Sequence, residues 1–330
     1  MRLEITRIEG RRNDLLLRLD RSEIATASLT VANRAQLMTL PGMPRHRRAT
    51  REEAEGIAGL KVPIEEHLRR LAIVDDSGKA RQRAIAISNR NLGTNHGHVA
   101  WQRGEQPPIV RIGEDPFAGR PRSCLAVRAG GRLSIDTLTF DLREERIRAV
   151  DGDQDVSDEI EWATYGQQVL RNGSVARVDD LIDEFYDLRH VLAFDHRHEE
   201  GERIRKEIYT GYPGRFRERA LSAWREQGVP RARYFHNAVG LSARELIVLQ
   251  REGTIEEIGT ALCDAGADDG LILDNGGSVV CWVWWANNYA GGVVSPTVDY
   301  RPPGTSAIAF ILKGPMNVEL PGGSVSYSSA

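Results

Sequence analysis

Cysteine is scarce in this chain. Only Cys124, Cys263 and Cys281 occur in 330 residues, an odd number at wide spacings, which excludes a disulfide framework and any paired metal or redox motif. Long apolar runs are also missing, so no segment reads as a membrane span. The first twenty residues scatter charges through their apolar positions and lack the uninterrupted hydrophobic stretch of a secretory signal. A cytoplasmic protein with free thiols is the simplest expectation. A strong charge of either sign is absent too: 44 Lys and Arg against 47 Asp and Glu leave a net charge of -3. No overall basic field draws nucleic acid, and the run Arg45-His46-Arg47-Arg48 reads as a solvated face that binds at most a local anion. Neither nucleic acid nor a membrane is an expected partner, and the oligomeric state stays open.

What is present is an ordinary globular composition, 41% hydrophobic, enough for one large domain or two moderate ones. The texture changes along the chain. Residues 1 to 79 read as an N-terminal extension of short strands (Arg2 to Ile8, Leu15 to Leu19, Thr26 to Val31) followed by helices around Arg51 to Ile57 and Ile64 to Leu71. Turn residues at Asp75-Asp76-Ser77-Gly78 mark a boundary. Strands and turns dominate from Arg83 to Asn172. A helical period then appears, with Val178, Leu181, Ile182, Phe185 and Leu188 on one stripe, and this predicts a helical insertion over about 175–230. Residues 316–330 form a tail that is Gly/Ser-rich from Gly322 onward and expected to fray. Successive strands without intervening helices argue for an α+β fold, a mixed and mainly antiparallel sheet core with packed helices, over a doubly wound parallel one.

The densest signal runs from Gly253 to Ser278. Thr254 and Glu257 have the spacing of a capping box; Ile255, Ile258 and Leu262 recur at helical spacing, and Gly266 supplies a left-handed stop. Gly270-Leu271-Ile272-Leu273 reads as a strand buried on both faces. It ends in Asp274-Asn275-Gly276-Gly277-Ser278, whose glycines let backbone N–H groups approach a ligand. Asp-Asn before Gly-Gly is equally a common hairpin signal.

These residues resemble the phosphodiester glycosidase family, whose pattern is a capped helix with Glu, Gly-Ala, a hydrophobic strand and Asp-Gly-Gly-Gly-Ser. The spacing matches without gaps from Glu257 to Ser278. Softer echoes follow the family order at Ala84 to Asn89, Cys124 to Ile135, Tyr165 to Gly173, His236 to Gly240, and Arg301 with Ser306 to Ile308, so the resemblance covers residues 80 to 315. Asn275, Val279 and His236 depart from the family pattern.

The resemblance implies a hydrolase or transglycosidase that cleaves a glycosidic bond to a phosphodiester, in a sugar 1-phosphodiester or nucleotide-sugar-like small molecule, with no cofactor. On that reading Asp274 is the carboxylate at the anomeric centre. Asn275, Gly276, Gly277 and Ser278 offer donors, Arg301 clamps phosphate, His236 donates to phosphate in place of an arginine, and Asn89 orients sugar hydroxyls. Glu257 is either the helix cap alone or a second carboxylate. Trp284, in the Trp282-Val283-Trp284-Trp285 run, is either core or a stacking platform for a sugar or base. Two alternatives stand beside this reading: a catalytically silent module that binds a phosphosugar or nucleotide in the same cleft, and a metal-dependent hydrolase centred on His96 and His98, which would need a further ligand from elsewhere. A second histidine group, His190 with His196 and His198, reads as a solvated helix end.

Overall fold

A computed structural model describes residues 2–7, 14–39, 51–89, 99–111, 121–150, 153–177, 233–285, 290–295, 302–315 and 325–329, together with residues 218, 222 and 297. The described strands form three sheets. The largest has eight strands in the order β12 (Ser174–Val175), β11 (Gln167–Arg171), β15 (Asp269–Asn275), β13 (Tyr234–Leu241), β14 (Glu245–Gly253), β2 (Asp14–Asp20), β1 (Arg2–Arg7) and β19 (Val325–Ser329). A six-stranded sheet follows the order β6 (Ile109–Arg111), β5 (Val99–Gln102), β10 (Ile160–Tyr165), β7 (Arg122–Arg128), β8 (Arg132–Asp141) and β9 (Arg146–Ala149). The third has five strands, ordered β17 (Ala290–Ser295), β16 (Cys281–Trp285), β4 (Ala84–Ser88), β18 (Ser306–Leu312) and β3 (Ile24–Val31). Among the described pairings only β1 with β19 is parallel. The mainly antiparallel, sheet-rich architecture with a few packed helices is the one the sequence predicts.

Alternation decides which side of each strand is buried. In β2, Leu15, Leu17 and Leu19 face a central core that also takes Val239, Val248, Leu271 and Leu273 from their own sheet. Leu125 and Val127 of the six-stranded sheet, and Ile85, Ile87, Ile308 and Phe310 of the five-stranded one, complete it. The opposite face of the largest sheet presents Ala238, Ile247, Leu249 and Ile272 to Ile255, Ile258 and Leu262 of helix α4 (Ile255–Asp264). β15 is therefore apolar on both faces, as its uninterrupted run predicts. Helix α3 (Ile64–Arg70) covers the outer face of the five-stranded sheet, packing Ile64 and Leu68 on Ala86, Trp282, Trp284 and Ala309.

Helix α4 starts and stops as its sequence dictates. Thr254 Oγ1 accepts the Glu257 N–H at 3.2 Å while Glu257 Oε2 accepts the Thr254 N–H at 2.9 Å. Gly266 takes φ +91° just past the end. Inside the helix, Gly259 allows close seating on β11, since a Cβ there would lie 2.5 Å from the Val169 carbonyl oxygen.

The N-terminal strands are woven into two sheets: β2 pairs with β14 and β3 with β18. One expectation is corrected at the other end. Val325–Ser329 is not frayed but pairs along β1 from Leu3↔Val325 to Arg7↔Ser329, covering backbone groups that an edge strand would otherwise leave open. The helical insertion expected over about 175–230 lies almost wholly outside the described residues.

Gly259→Ala should lower the urea midpoint of unfolding. Helix propensity favours Ala by about 1 kcal/mol, but overpacking against a backbone oxygen that cannot step aside costs about 1–3 kcal/mol.

His67 in α3 is buried, with its Nε2–H donating to the Gly304 carbonyl at 3.2 Å. Burial pushes its pKa down to about 4 against the weaker opposing pull of that hydrogen bond. A folded-state pKa below the unfolded value of 6.5 means that the unfolded chain binds the proton first. Stability should therefore be full above that value and fall by on the order of 3 kcal/mol as pH drops towards 4. Chemical denaturation across this window should show the slope in the wild type and a flattened one in His67→Gln.

Candidate functional site

Polar side chains are buried at the strand ends where the three sheets meet. Ser88 and Asn89 lie at the end of β4, Thr164 near the end of β10, Asn237 on β13, Asp274 near the end of β15, and Thr305 and Ser306 at the start of β18. An unsatisfied buried polar group costs about 1–3 kcal/mol, so these residues must answer one another or a ligand.

They answer one another in a chain that crosses all three sheets. Asn89 Nδ2 donates to Thr164 Oγ1 at 3.0 Å, and the Asn89 N–H to the Ser306 carbonyl at 3.1 Å. Asn237 Nδ2 donates to the Ser88 carbonyl at 2.5 Å, and Gln250 Nε2 donates to Asn237 Oδ1 at 2.9 Å. Ser88 Oγ accepts the Val280 N–H at 3.1 Å. Asn237 stands opposite Asp274 in the β13–β15 register, and His236 opposite Asn275.

Asp274 is 2% exposed. Its Oδ1 accepts the Asn275 N–H at 2.8 Å and the Ser278 hydroxyl at 2.7 Å, which fixes the carboxylate in one orientation. Gly276, at φ +75°, and Gly277 turn the chain in a short 3₁₀ segment, Gly276–Ser278. The hairpin alternative for this turn is overturned. β15 belongs to the eight-stranded sheet and β16 to the five-stranded one, so Asp274 to Val280 carries the chain from one sheet to the other. Asn89 also fits a ligand-facing role: it is 1% exposed and its Oδ1 meets no donor among the described residues.

No protein-family model matches the chain, and no curated protein matches it. Among solved structures, the catalytic domain of zebrafish N-acetylglucosamine-1-phosphodiester alpha-N-acetylglucosaminidase, auto-inhibited by its pro-peptide, is similar over 92% of this chain and 78% of that one, at 15% identity and a TM-score of 0.49. A hypothetical protein from Synechocystis is similar over 94% of this chain and 61% of that one, at 12% identity and a TM-score of 0.36. Likenesses at this level assign no residue of this chain a role.

Other expected site residues are placed differently. Glu257 is the helix cap: Oε2 takes the Thr254 N–H and Oε1 takes Arg233 Nη1 at 2.7 Å, with the side chain 49% exposed. The Thr254 N–H first, and Arg233 after it, hold its carboxyl below the usual range. Both oxygens are engaged, and a groove along α4 that Glu257 lines with Arg251, Thr260 and Asp264 does not include Asp274. Nothing here makes it a second carboxylate of the Asp274 cluster. His236 is buried with Nε2 donating to the Gly253 carbonyl at 3.0 Å, so that nitrogen serves the backbone and not a phosphate. Trp284 is 1% exposed, packed among α3 side chains with the Arg83 guanidinium 4.8 Å from its ring centroid. It is core, because no face remains on which a sugar would stack. Arg301, His96 and His98 lie outside the described residues, as do His190, His196 and His198. Among the described residues no three His, Cys, Asp or Glu side chains cluster as metal ligands would.

Sequence reasoning missed Ser88, Asn237 and Gln250. Gln250 carried a signal, a lone amide closing the apolar run Leu246 to Leu249.

Asn237→Ala should destabilise the fold by about 2–5 kcal/mol, since the Ser88 carbonyl and the Gln250 amide both lose their partner. Denaturant titration of Asn237→Ala, Gln250→Leu and the double variant should give a double-variant loss smaller than the sum of the singles.

Proposed function

We propose that this chain cleaves a glycosidic bond whose leaving group is a phosphodiester, by hydrolysis or by transfer of the sugar, in a sugar 1-phosphodiester or nucleotide-sugar-like compound. The observation that carries the reading is Asp274: the carboxylate of the ungapped Glu257 to Ser278 pattern, held in one orientation by Asn275 and Ser278 among buried polar groups. A rigid carboxylate in a site of low dielectric stabilises an oxocarbenium-like centre more than a mobile one in water does. The phosphodiester leaves as a stable anion, so little general-acid assistance is required of the protein. Asn89 Oδ1 supplies an acceptor for a sugar hydroxyl. The free thiols, with Cys124 and Cys281 buried, fit a reducing compartment such as the cytoplasm. Among the described residues no helix is long and apolar enough to cross a membrane.

A second reading, a module that binds a phosphosugar or nucleotide without turning it over, is favoured by one contact. His236 stands where the family pattern has arginine and commits its Nε2 to a backbone carbonyl.

A panel of sugar 1-phosphodiesters and nucleotide sugars, assayed for free sugar, decides between the two. Asp274→Asn keeps an acceptor for the Asn275 and Ser278 donors and should leave the thermal midpoint nearly unchanged, while kcat falls by roughly 10²–10⁴-fold. Undiminished turnover in the folded variant refutes the assignment of Asp274. Tight binding of an intact ligand with no product after long incubation selects the binding module.

A further inference from the structure

Two amide side chains of the strand-end cluster each leave a buried oxygen without a donor, and for Gln250 that orientation is forced. The Ser88 carbonyl can only accept, so Asn237 must turn Nδ2 towards it, at 2.5 Å. Asn237 Oδ1 is then left facing β14 and can only accept, so Gln250 must turn Nε2 towards it, at 2.9 Å. What remains is Gln250 Oε1. It is buried, meets no donor among the described residues, and cannot trade places with Nε2 without setting two oxygens against each other. Asn89 repeats the pattern at the end of β4: Nδ2 is spent on Thr164 Oγ1 and Oδ1 is left over.

Both oxygens lie on one side of the fold. Gln250 stands opposite Leu15 in the β2–β14 ladder, and residues directly opposite share a face, so its side chain is on the central-core side that Leu15 occupies. Asn89 follows Ile87 of the same core by two residues. Gln250, Asn237 and Asp274 form a row across three adjacent strands, which sets Gln250 two strand spacings, about 10 Å, from Asp274. An amide oxygen takes a hydroxyl or an N–H and repels an anion, and leaving it unmet in the interior is costly. The part of a ligand lodged against these two oxygens therefore carries donors and no negative charge.

We propose that Gln250 Oε1 and Asn89 Oδ1 are a pair of acceptors that select a neutral, hydroxyl-bearing ring, so that a ligand of the Asp274 site binds with its sugar against them and its phosphodiester directed away. The assignment rests on the reading above only in placing a sugar at the Asp274 site. It makes Gln250 a determinant of specificity, reading one hydroxyl or N–H of the ring.

Calorimetric titration of the full chain with neutral hexoses and N-acetylhexosamines, and with their monodeoxy and monodeoxyfluoro analogues, tests it. Fluorine cannot donate, so at two ring positions both replacements should weaken binding to wild type equally, by about 5- to 150-fold, the scale of one buried acceptor left unmet. In Gln250→Met, which keeps the length of the side chain, the penalty at one of those positions should vanish while the other, read by Asn89, persists. A merely loosened fold would weaken every analogue alike. Gln250→Lys, which keeps a donor for Asn237 but no acceptor, should lose the same penalty and serves if the Met variant does not fold. Inorganic phosphate should not displace the monosaccharide. Failure of wild type to bind any of these sugars overturns the proposal, as do fluoro analogues that bind like the parent, both penalties intact in a folded variant, or displacement by phosphate. The two readings fail separately. Sugar binding with this pattern, without turnover of any sugar phosphodiester, refutes the hydrolase alone; turnover whose KM and deoxy pattern are unchanged in the Gln250 variants refutes Gln250 alone.

Discussion

One hydrogen bond, from Asn237 Nδ2 to the Ser88 carbonyl, ties the end of β4 to β13 across the gap between two sheets. Neither group can reach water, so each depends on the other, and Gln250 depends on the same side chain. The position of Asp274 follows from it. Asp274 sits opposite Asn237 in the ladder, so its placement relative to Asn89 depends on how β13 is fastened to β4. A polar bond of this kind specifies an arrangement that apolar packing alone would leave free to slide.

What the sequence made legible is what local physics decides. The capping box of Thr254 and Glu257, the Gly266 stop and the two-faced apolar strand up to Leu273 all concern residues within one or two turns of each other, and all appear as expected. Sheet membership is different. Asn275-Gly276 has the chemistry of a hairpin, yet β16 pairs with β4 and β17 and packs under α3, more than two hundred residues upstream. The same distant helix turns Trp284 from a plausible platform into core.

The site is assembled on strand ends and crossings instead of on one loop. β10 gives way to β11 at Gly166, passing from the six-stranded sheet to the eight-stranded one, and a Cβ at Gly166 would press on Leu271 and Leu273 at 3.0 Å. β15 gives way to β16 at Gly276. Rigid ladders therefore lead into the cluster from several sides, which suits a constellation whose geometry must be held without a bound partner.

The pairing of β2 with β14 sets a timetable for the newborn chain. Arg18 and Glu245, joined across that ladder, are 227 positions apart. At roughly 5–20 residues per second, a ribosome that has released β2 needs on the order of 10 to 50 s before β14 emerges. For that interval β2 has only β1 to pair with, and the edge that β14 will cover stays open to any neighbour. Closing so large a loop is slow in itself. Leucines of the finished core thus stand beside an unpaired strand edge while the protein is being made, and a holdase chaperone would find a target there.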